Sequence, residues 1–162
     1  MNRFALFIFS IFLFSKVPLD ANSCAFCNPE IIKKQSVLEC QFFYILLDYC
    51  PRVFGHLLAI PKRHVVKAHE LSKDEWNELG DIIPKISKIF SEFLGTDDYI
   101  ILEKNGENAF QNVPHVHFHL FPVHFETWPE IFNIIPDQLT EETLKERVEL
   151  FQRYFDEASS LR

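Results

Sequence analysis

The sequence has little glycine, no long basic run and no apolar run long enough to cross a bilayer. Only four of its 162 residues are glycine, and no repeat or low-complexity tract follows the first 23 residues, so no flexible linker between two domains is expected. A chain of this length that is 48% hydrophobic fits one domain with a substantial core. The net charge is −7 and the longest basic run is residues 62–64, which argues against nucleic-acid binding.

An apolar segment at residues 4–14 stands out because it holds five of the 18 phenylalanines. A stable membrane-spanning helix needs roughly 20 apolar residues, so this segment is too short to be one. Arg3 before it and the small residues at 21–23 after it are typical of a cleavable secretory signal. We therefore expect residues 1–23 to be a signal peptide that directs export to the periplasm or out of the cell. An uncleaved membrane anchor is one alternative, and translation that starts near Val17 and leaves the protein in the cytoplasm is another.

Residues 24–162 are expected to form one α+β domain with a mainly antiparallel sheet. The S-x-x-E pattern at Ser72 is a capping box that begins a long helix ending at Gly95, which Pro84 is expected to kink. Apolar residues at helical spacing predict a C-terminal helix over about residues 140–157. Apolar runs between turn residues predict strands at 42–48, 56–61, 99–104 and 115–121.

Three histidines alternate along the last predicted strand: His115, His117 and His119. Their imidazoles are expected to share one face at spacings of roughly 6–7 Å, while the residues between them enter the core. Packing does not need such an array, but two chemistries do: a catalytic zinc site on the triad, or a neutral imidazole that attacks phosphorus while its neighbours neutralise charge. The second is favoured because no carboxylate lies close behind the triad and amides and glycine lie upstream. These are Asn105, Gly106, Asn108, Gln111 and Asn112.

The segment QNVPHVHFHLFP, Gln111 to Pro122, resembles the Q-x-V-x-H-x-H-x-H signature of the histidine triad (HIT) family of nucleotide-binding hydrolases and transferases. Upstream features match the order of that family: a C-x-x-C pair at Cys24, an acid at Asp48, and the segment 55–64, GHLLAIPKRH. The resemblance covers residues 24 to 122 and implies a HIT-like fold with one long helix and a C-terminal helix.

The resemblance also implies a reaction and roles for four histidines. His117 would attack the α-phosphorus of a nucleotide conjugate, such as a nucleoside phosphoramidate or a dinucleoside polyphosphate, and form a nucleotidyl-histidine. Water or another acceptor would then release the nucleotide, and the covalent step would need no cofactor. His119 would contact phosphoryl oxygens, His115 would shape the site behind the nucleophile, and His56 would approach the same group from the neighbouring strand.

Polar residues outside the triad are implied to bind the substrate. Asp48 resembles the family acid that binds ribose hydroxyls, since a carboxylate accepts two hydrogen bonds. Asn105 matches a residue that positions the phosphate and leaving group, and Gln111 and Asn112 fall where the family has glutamine followed by serine or threonine. The alternative for these amides is a buried structural role. Phe110 departs from the glycine usual before the glutamine, which puts the substrate range in doubt.

A structural zinc site is implied by a subset of the same family. There the C-x-x-C pair binds zinc with two histidines, which correspond here to Cys24, Cys27, His64 and His115. Two thiolates and two imidazoles make a closed tetrahedral site. A disulfide between the two cysteines, or a pair of free thiols, are the alternatives.

Three further interpretations remain open from the sequence. A homodimer is expected, with the helix of residues 72–94 as a candidate interface, although its apolar stripe could equally pack on the sheet of its own chain. The protein could also bind or sense nucleotides with little turnover. A zinc-dependent hydrolase built on the triad itself is the last alternative.

Overall fold

The computed structural model describes residues 24–124, 131 and 135–160, so the predicted signal peptide over residues 1–23 lies outside the described part. Five strands form one antiparallel sheet in the order β1-β2-β3-β5-β4. They are β1 (Ser36–Glu39), β2 (Phe43–Leu47), β3 (Leu57–Pro61), β4 (Tyr99–Glu103) and β5 (Phe118–Pro122). The helices are α1 (Pro29–Gln35), α2 (Lys73–Leu94) and α3 (Glu141–Ser160). The α+β class and the antiparallel sheet are confirmed.

The long helix α2 begins and ends as its sequence predicts. Ser72 Oγ accepts a hydrogen bond from the Glu75 amide at 3.2 Å, and the Glu75 carboxylate accepts one from the Ser72 amide at 2.7 Å. Gly95 ends the helix in the left-handed conformation, with φ of 70°. The helix continues through Pro84 without a break.

The apolar stripe of α2 packs into the core of its own chain. Its buried residues belong to the main apolar cluster together with residues from the sheet and from α3, namely Leu79, Ile82, Ile86, Ile89 and Phe90. The stripe therefore packs within its own domain. This was the second of the two interpretations of the stripe, the first being a dimer interface. No helix in the described ranges is long and apolar enough to cross a membrane.

Two elements near the start of the domain are absent from the sequence prediction. Helix α1 begins after Asn28, whose Oδ1 accepts a hydrogen bond from the Glu30 amide at 2.9 Å, and Pro29 occupies its first position. Strand β1 follows α1 directly and pairs with β2 through an irregular register between Ser36 and Leu38. Both elements are short, so neither shows a clear apolar period.

The strand that carries the triad starts later than predicted. We expected a strand over 115–121, but β5 begins at Phe118, so His115 and His117 lie just before it. The reason is that the Val116 amide bonds to the carbonyl of Val65 at 2.7 Å instead of joining the strand ladder. Alternation nevertheless holds, because the residues between and after the histidines enter the core as expected: Val116, Phe118 and Leu120.

Candidate active site

His117 is held in one tautomer by the backbone. Its ring is buried, and Nδ1 lies 2.7 Å from the carbonyl oxygen of His115. A carbonyl only accepts, so Nδ1 carries the proton and Nε2 keeps its lone pair. Burial lowers the pKa of His117, which the bond to His115 partly offsets and the charge of Lys104 reinforces. The ring is therefore neutral near pH 7 and carries a nucleophilic nitrogen.

His56 and His119 form a second, directly bonded pair. His56 Nε2 lies 2.9 Å from His119 Nδ1, so the two rings share a single N–H between them. Burial lowers the pKa of His119 to about 3, and the pKa of His56 also lies well below its usual value, chiefly because of burial. The rings of His117 and His119 lie 4.9 Å apart between centroids. The pair thus places neutral imidazoles beside His117.

The proton between these rings decides what His119 offers to a ligand. If His56 donates from Nε2, His119 is protonated at Nε2 and offers an N–H to the cavity. In that state His56 Nδ1 accepts from the Arg52 amide, 3.4 Å away. If His56 instead donates from Nδ1 to Asp48, 3.3 Å away, His119 Nε2 is a bare acceptor. The first state fits the expected role of His119 as a donor to phosphoryl oxygens.

Asp48 lies at the end of β2, where the sequence predicts the ribose-binding acid. Its Oδ1 accepts a hydrogen bond from the Cys50 amide at 2.9 Å. Its side chain is 13% exposed, and this burial raises the pKa to about 6, although the Cys50 amide and the charge of Arg52 act in the opposite direction. The carboxyl group lines the same cavity as His117, and ribose binding stays a prediction.

The four predicted metal ligands converge on one point. Cys24 Sγ lies 3.4 Å from His115 Nδ1, Cys27 Sγ lies 3.3 Å from His64 Nδ1, and all four ligand atoms lie within 4.8 Å of one another. His115 Nε2 lies 2.9 Å from the Pro61 carbonyl, so it carries the proton and Nδ1 presents its lone pair to the thiols. Neither cysteine is in a disulfide. This donor set fits a closed tetrahedral zinc site.

The pKa values of Cys27 and His115 indicate how this cluster would respond to a bound cation. Burial, reinforced by Cys24, raises the pKa of Cys27 to about 11, and burial lowers the pKa of His115 to about 4. Cys27 and His115 are therefore neutral in the absence of a metal, and a dication would stabilise the thiolate form of Cys27.

Phe26 connects the cysteine pair to His117. It lies between Cys24 and Cys27, and its ring meets the His117 ring edge to face with centroids 5.1 Å apart. It also lines the cavity. The sequence offered no separate signal for this contact, because an aromatic residue inside a C-x-x-C pair is equally compatible with core packing.

The predicted amide residues divide between loop support and the cavity wall. Asn105 Oδ1 accepts a hydrogen bond from the Ala68 amide at 3.3 Å. Gln111 accepts one from the Gly106 amide at 2.8 Å and donates one to the Val66 carbonyl at 3.1 Å. Of the three amides, only Asn112 is among the described residues that line the cavity. Gln111 therefore fits the structural alternative.

The cavity has a volume of about 950 Å³ and is lined by His117, His119, His56 and Asp48. Further charged and aromatic residues that the sequence does not assign to the site also line it, among them Phe26, Arg52 and Lys104. Lys104 follows β4 directly, and strand alternation would have placed it on the triad face. Phe110 lines the cavity while 76% exposed, with a φ of 60° that is unusual for a bulky residue.

Comparison with known proteins assigns the chain to a family. The HIT domain model matches residues 30–126. The adenosine 5'-monophosphoramidase of Schizosaccharomyces pombe is 35% identical over 72% of this chain and 90% of its own length. The bis(5'-adenosyl)-triphosphatase of Dictyostelium discoideum is 30% identical over 67% of this chain and 75% of its own length. The fold is that of a zinc-bound histidine triad family protein from Mycobacterium smegmatis, with a TM-score of 0.69 at 24% identity over 88% of this chain and 100% of that one. The protein with this triad and cavity therefore belongs to the HIT family.

Proposed function

We propose that the protein is a nucleotidyl hydrolase or transferase that acts on the α-phosphate of nucleotide conjugates through a nucleotidyl-histidine at His117. The observation that carries this proposal is the 2.7 Å contact between His117 Nδ1 and the His115 carbonyl, which leaves Nε2 as the nucleophile. The names of the two relatives point to nucleoside phosphoramidates and dinucleoside polyphosphates as substrate classes.

The first step transfers the nucleotidyl group to His117. The Nε2 lone pair forms the new P–N bond, and the bond between the α-phosphorus and the leaving group breaks with its electron pair on the leaving group. A phosphate leaves as an anion, whereas an amine takes up a proton from the solvent as it leaves. The positive charge that develops on the His117 ring is stabilised by the carbonyl of His115.

The second step releases the nucleotide. Water or another acceptor forms a bond to phosphorus, loses a proton to the surrounding solvent, and returns the electron pair of the P–N bond to Nε2. In both steps an N–H of the His56–His119 pair donates to the phosphoryl oxygens, and Asp48 accepts from the ribose hydroxyls.

We also propose that Cys24, Cys27, His64 and His115 hold a structural zinc ion. The convergence of the four ligand atoms and the bond from His115 Nε2 to Pro61 support this assignment. Bound zinc would tie the segment at Cys24 to the sheet, and it leaves His117 outside its ligand set.

A kinetic experiment on the full chain tests the reaction. The protein is assayed against an adenosine phosphoramidate and a diadenosine polyphosphate, with and without chelator, beside His117→Ala and His117→Asn. The exposed residue His69 provides the control His69→Asn. We expect both His117 variants to lose turnover, the control to keep it, and the covalent adenylyl group to appear by mass spectrometry in the wild type alone.

The other outcomes favour the alternatives. Tight nucleotide binding without turnover supports a binding or sensing protein. Loss of activity on chelation with the fold intact supports a zinc-dependent hydrolase on the triad, and unchanged turnover in both His117 variants excludes the covalent mechanism.

We also propose that residues 1–23 direct export and that the protein forms a homodimer. A mature protein that begins near Cys24, measured by mass spectrometry from native cells, supports a signal peptide over residues 1–23. A full-length mass supports an uncleaved membrane anchor, and a mass that begins near Val17 supports the cytoplasmic alternative. Sedimentation analysis distinguishes a homodimer from a monomer.

A further inference from the structure

Lys104 occupies the triad face of the sheet. In the antiparallel pair of β4 with β5, Leu102 lies opposite His119 and Glu103 lies opposite Phe118. Continuing this register by one residue places Lys104 opposite His117. Side chains alternate between faces, so Leu102 and Lys104 share the face of the histidines, and both line the cavity.

Lys104 is half-buried, and within the described part of the chain its ammonium group is unpaired. Among the described residues, no side chain or carbonyl forms a hydrogen bond or ion pair with it, whereas Arg52, the other cation near the triad, donates to the carbonyl of Ile131 at 3.2 Å. The charge of Lys104 helps to lower the pKa of His119, which is consistent with its position beside the histidines. A cation in such a place is available to an anionic ligand.

Neighbouring residues do not supply the same function. Asn105, which the sequence analysis assigned to the phosphate and leaving group, bonds to the Ala68 amide instead. Lys67 lies against Gly106, and its charge acts on Glu103, which faces away from the cavity. Lys104 is therefore the charged group at the end of β4 that reaches the site.

We propose that Lys104 makes this site selective for nucleotide conjugates whose leaving group carries phosphate, such as dinucleoside polyphosphates, over conjugates that release an amine. The selectivity rests on the proposed nucleotidyl transfer. A polyphosphate carries a negative charge on each phosphate, so a fixed cation stabilises its binding more than that of a phosphoramidate. When the P–O bond breaks, the electron pair stays on the leaving phosphate, and Lys104 balances the charge that develops there.

The kinetic test compares two substrates that share the adenylyl group, diadenosine triphosphate and adenosine 5'-phosphoromorpholidate. Lys104→Met keeps the apolar stem and removes the charge, Lys104→Arg keeps the charge, and Lys67→Met removes a cation from the opposite face. We expect Lys104→Met to lower the ratio of kcat/KM for the triphosphate to that for the morpholidate by about 10- to 100-fold. Lys104→Arg should recover most of the ratio, and Lys67→Met should leave it unchanged.

A binding measurement tests the role of Lys104 independently of turnover. The probes are a methylene-bridged analogue of diadenosine triphosphate and the methyl ester of AMP, titrated by calorimetry at low and high salt. The wild type should prefer the polyphosphate analogue, and Lys104→Met should lose that preference. Equal losses for both ligands in Lys104→Met, or an unchanged preference, overturn the assignment. Absence of turnover on either substrate contradicts the proposed function, and the calorimetric preference then decides the role of Lys104.

Discussion

Cys24 Sγ lies 3.4 Å from His115 Nδ1, although 91 residues separate the two in the sequence. The contact fastens the first described turn of the chain to the segment that carries the nucleophile. Its consequences for stability and for catalysis are separable, because His117 is bonded to the backbone of His115 and not to its side chain.

Loss of a cysteine ligand should reduce stability more than it reduces catalysis. In Cys27→Ser we expect zinc content to fall by more than half. The free energy of unfolding should fall by at least about 3 kcal/mol, a fraction of the roughly 10–16 kcal/mol that structural zinc contributes in small domains. Metal analysis and urea unfolding measure both quantities. Cys40→Ser, a cysteine outside the cluster, is the control. Equal zinc content in Cys27→Ser and the wild type would show that this cysteine is not a ligand.

Asp48 should make the protein less stable as the pH rises from about 4 to above 6. Its pKa is raised from 3.8 to about 6 in the folded state, so the unfolded chain releases this proton first and ionisation costs stability across that interval. Asp48→Asn should therefore be more stable than the wild type at pH 7.5, by up to about 3 kcal/mol, with little difference at pH 3.5. Thermal unfolding at both pH values provides the measurement. The same variant should raise KM for the nucleotide, and an identical pH profile in both proteins would contradict the raised pKa.

Phe110 should be replaceable by glycine with a gain in stability. Its φ of 60° is costly for a residue with a β-carbon, and its ring is 76% exposed, so little packing is lost. Phe110→Gly should increase the free energy of unfolding by about 1 kcal/mol in urea titrations. Ala109→Gly, one residue earlier in a short 3₁₀ helix, should be neutral or destabilising. A loss of stability in Phe110→Gly would mean that the ring makes contacts that outweigh the backbone strain.

Gln111 and Asn112 should respond differently to truncation. Gln111 holds two backbone groups, at Gly106 and Val66, so Gln111→Ala should lower the free energy of unfolding by about 1–3 kcal/mol. Asn112 lines the cavity, so Asn112→Ala should change KM and leave stability within about 0.5 kcal/mol. Chemical unfolding and steady-state kinetics on both variants compare the effects. The assignment reverses if Asn112→Ala is the less stable of the two.

Sequence patterns correctly predicted those helices and strands whose ends are determined by residues close together in the sequence. The capping box at Ser72 begins α2 and the left-handed Gly95 ends it, because each residue acts on its own turn of the helix. The predicted start of β5 was wrong because the Val116 amide bonds to the carbonyl of Val65. The alternation of apolar residues along the strand does not reveal that partner. Helix α1 and strand β1 were missed because they are too short to establish a period.

Long-range contacts needed the family resemblance or the fold itself. The four cysteine and histidine ligands were assigned through the resemblance, since spacing in the sequence does not bring Cys24 to His115. The resemblance assigns Asn105 to the phosphate, which stays a prediction, and the side chain that lines the cavity at this point of the chain is that of its neighbour Lys104. A shift of one residue at the end of a strand exchanges one face for the other, and the register of β4 against β5 indicates that Lys104 shares the face of the triad.

The bond from His117 Nδ1 to the carbonyl of His115 uses a backbone atom that every amino acid possesses. No side-chain substitution at position 115 deletes that atom. The proton arrangement of the nucleophile is thus encoded by the path of the chain, and only a change that moves the backbone disturbs it. Evolution and protein engineering are free to alter the cavity wall at Lys104 and Phe110, and so change which molecules are accepted, while the reactive nitrogen is preserved.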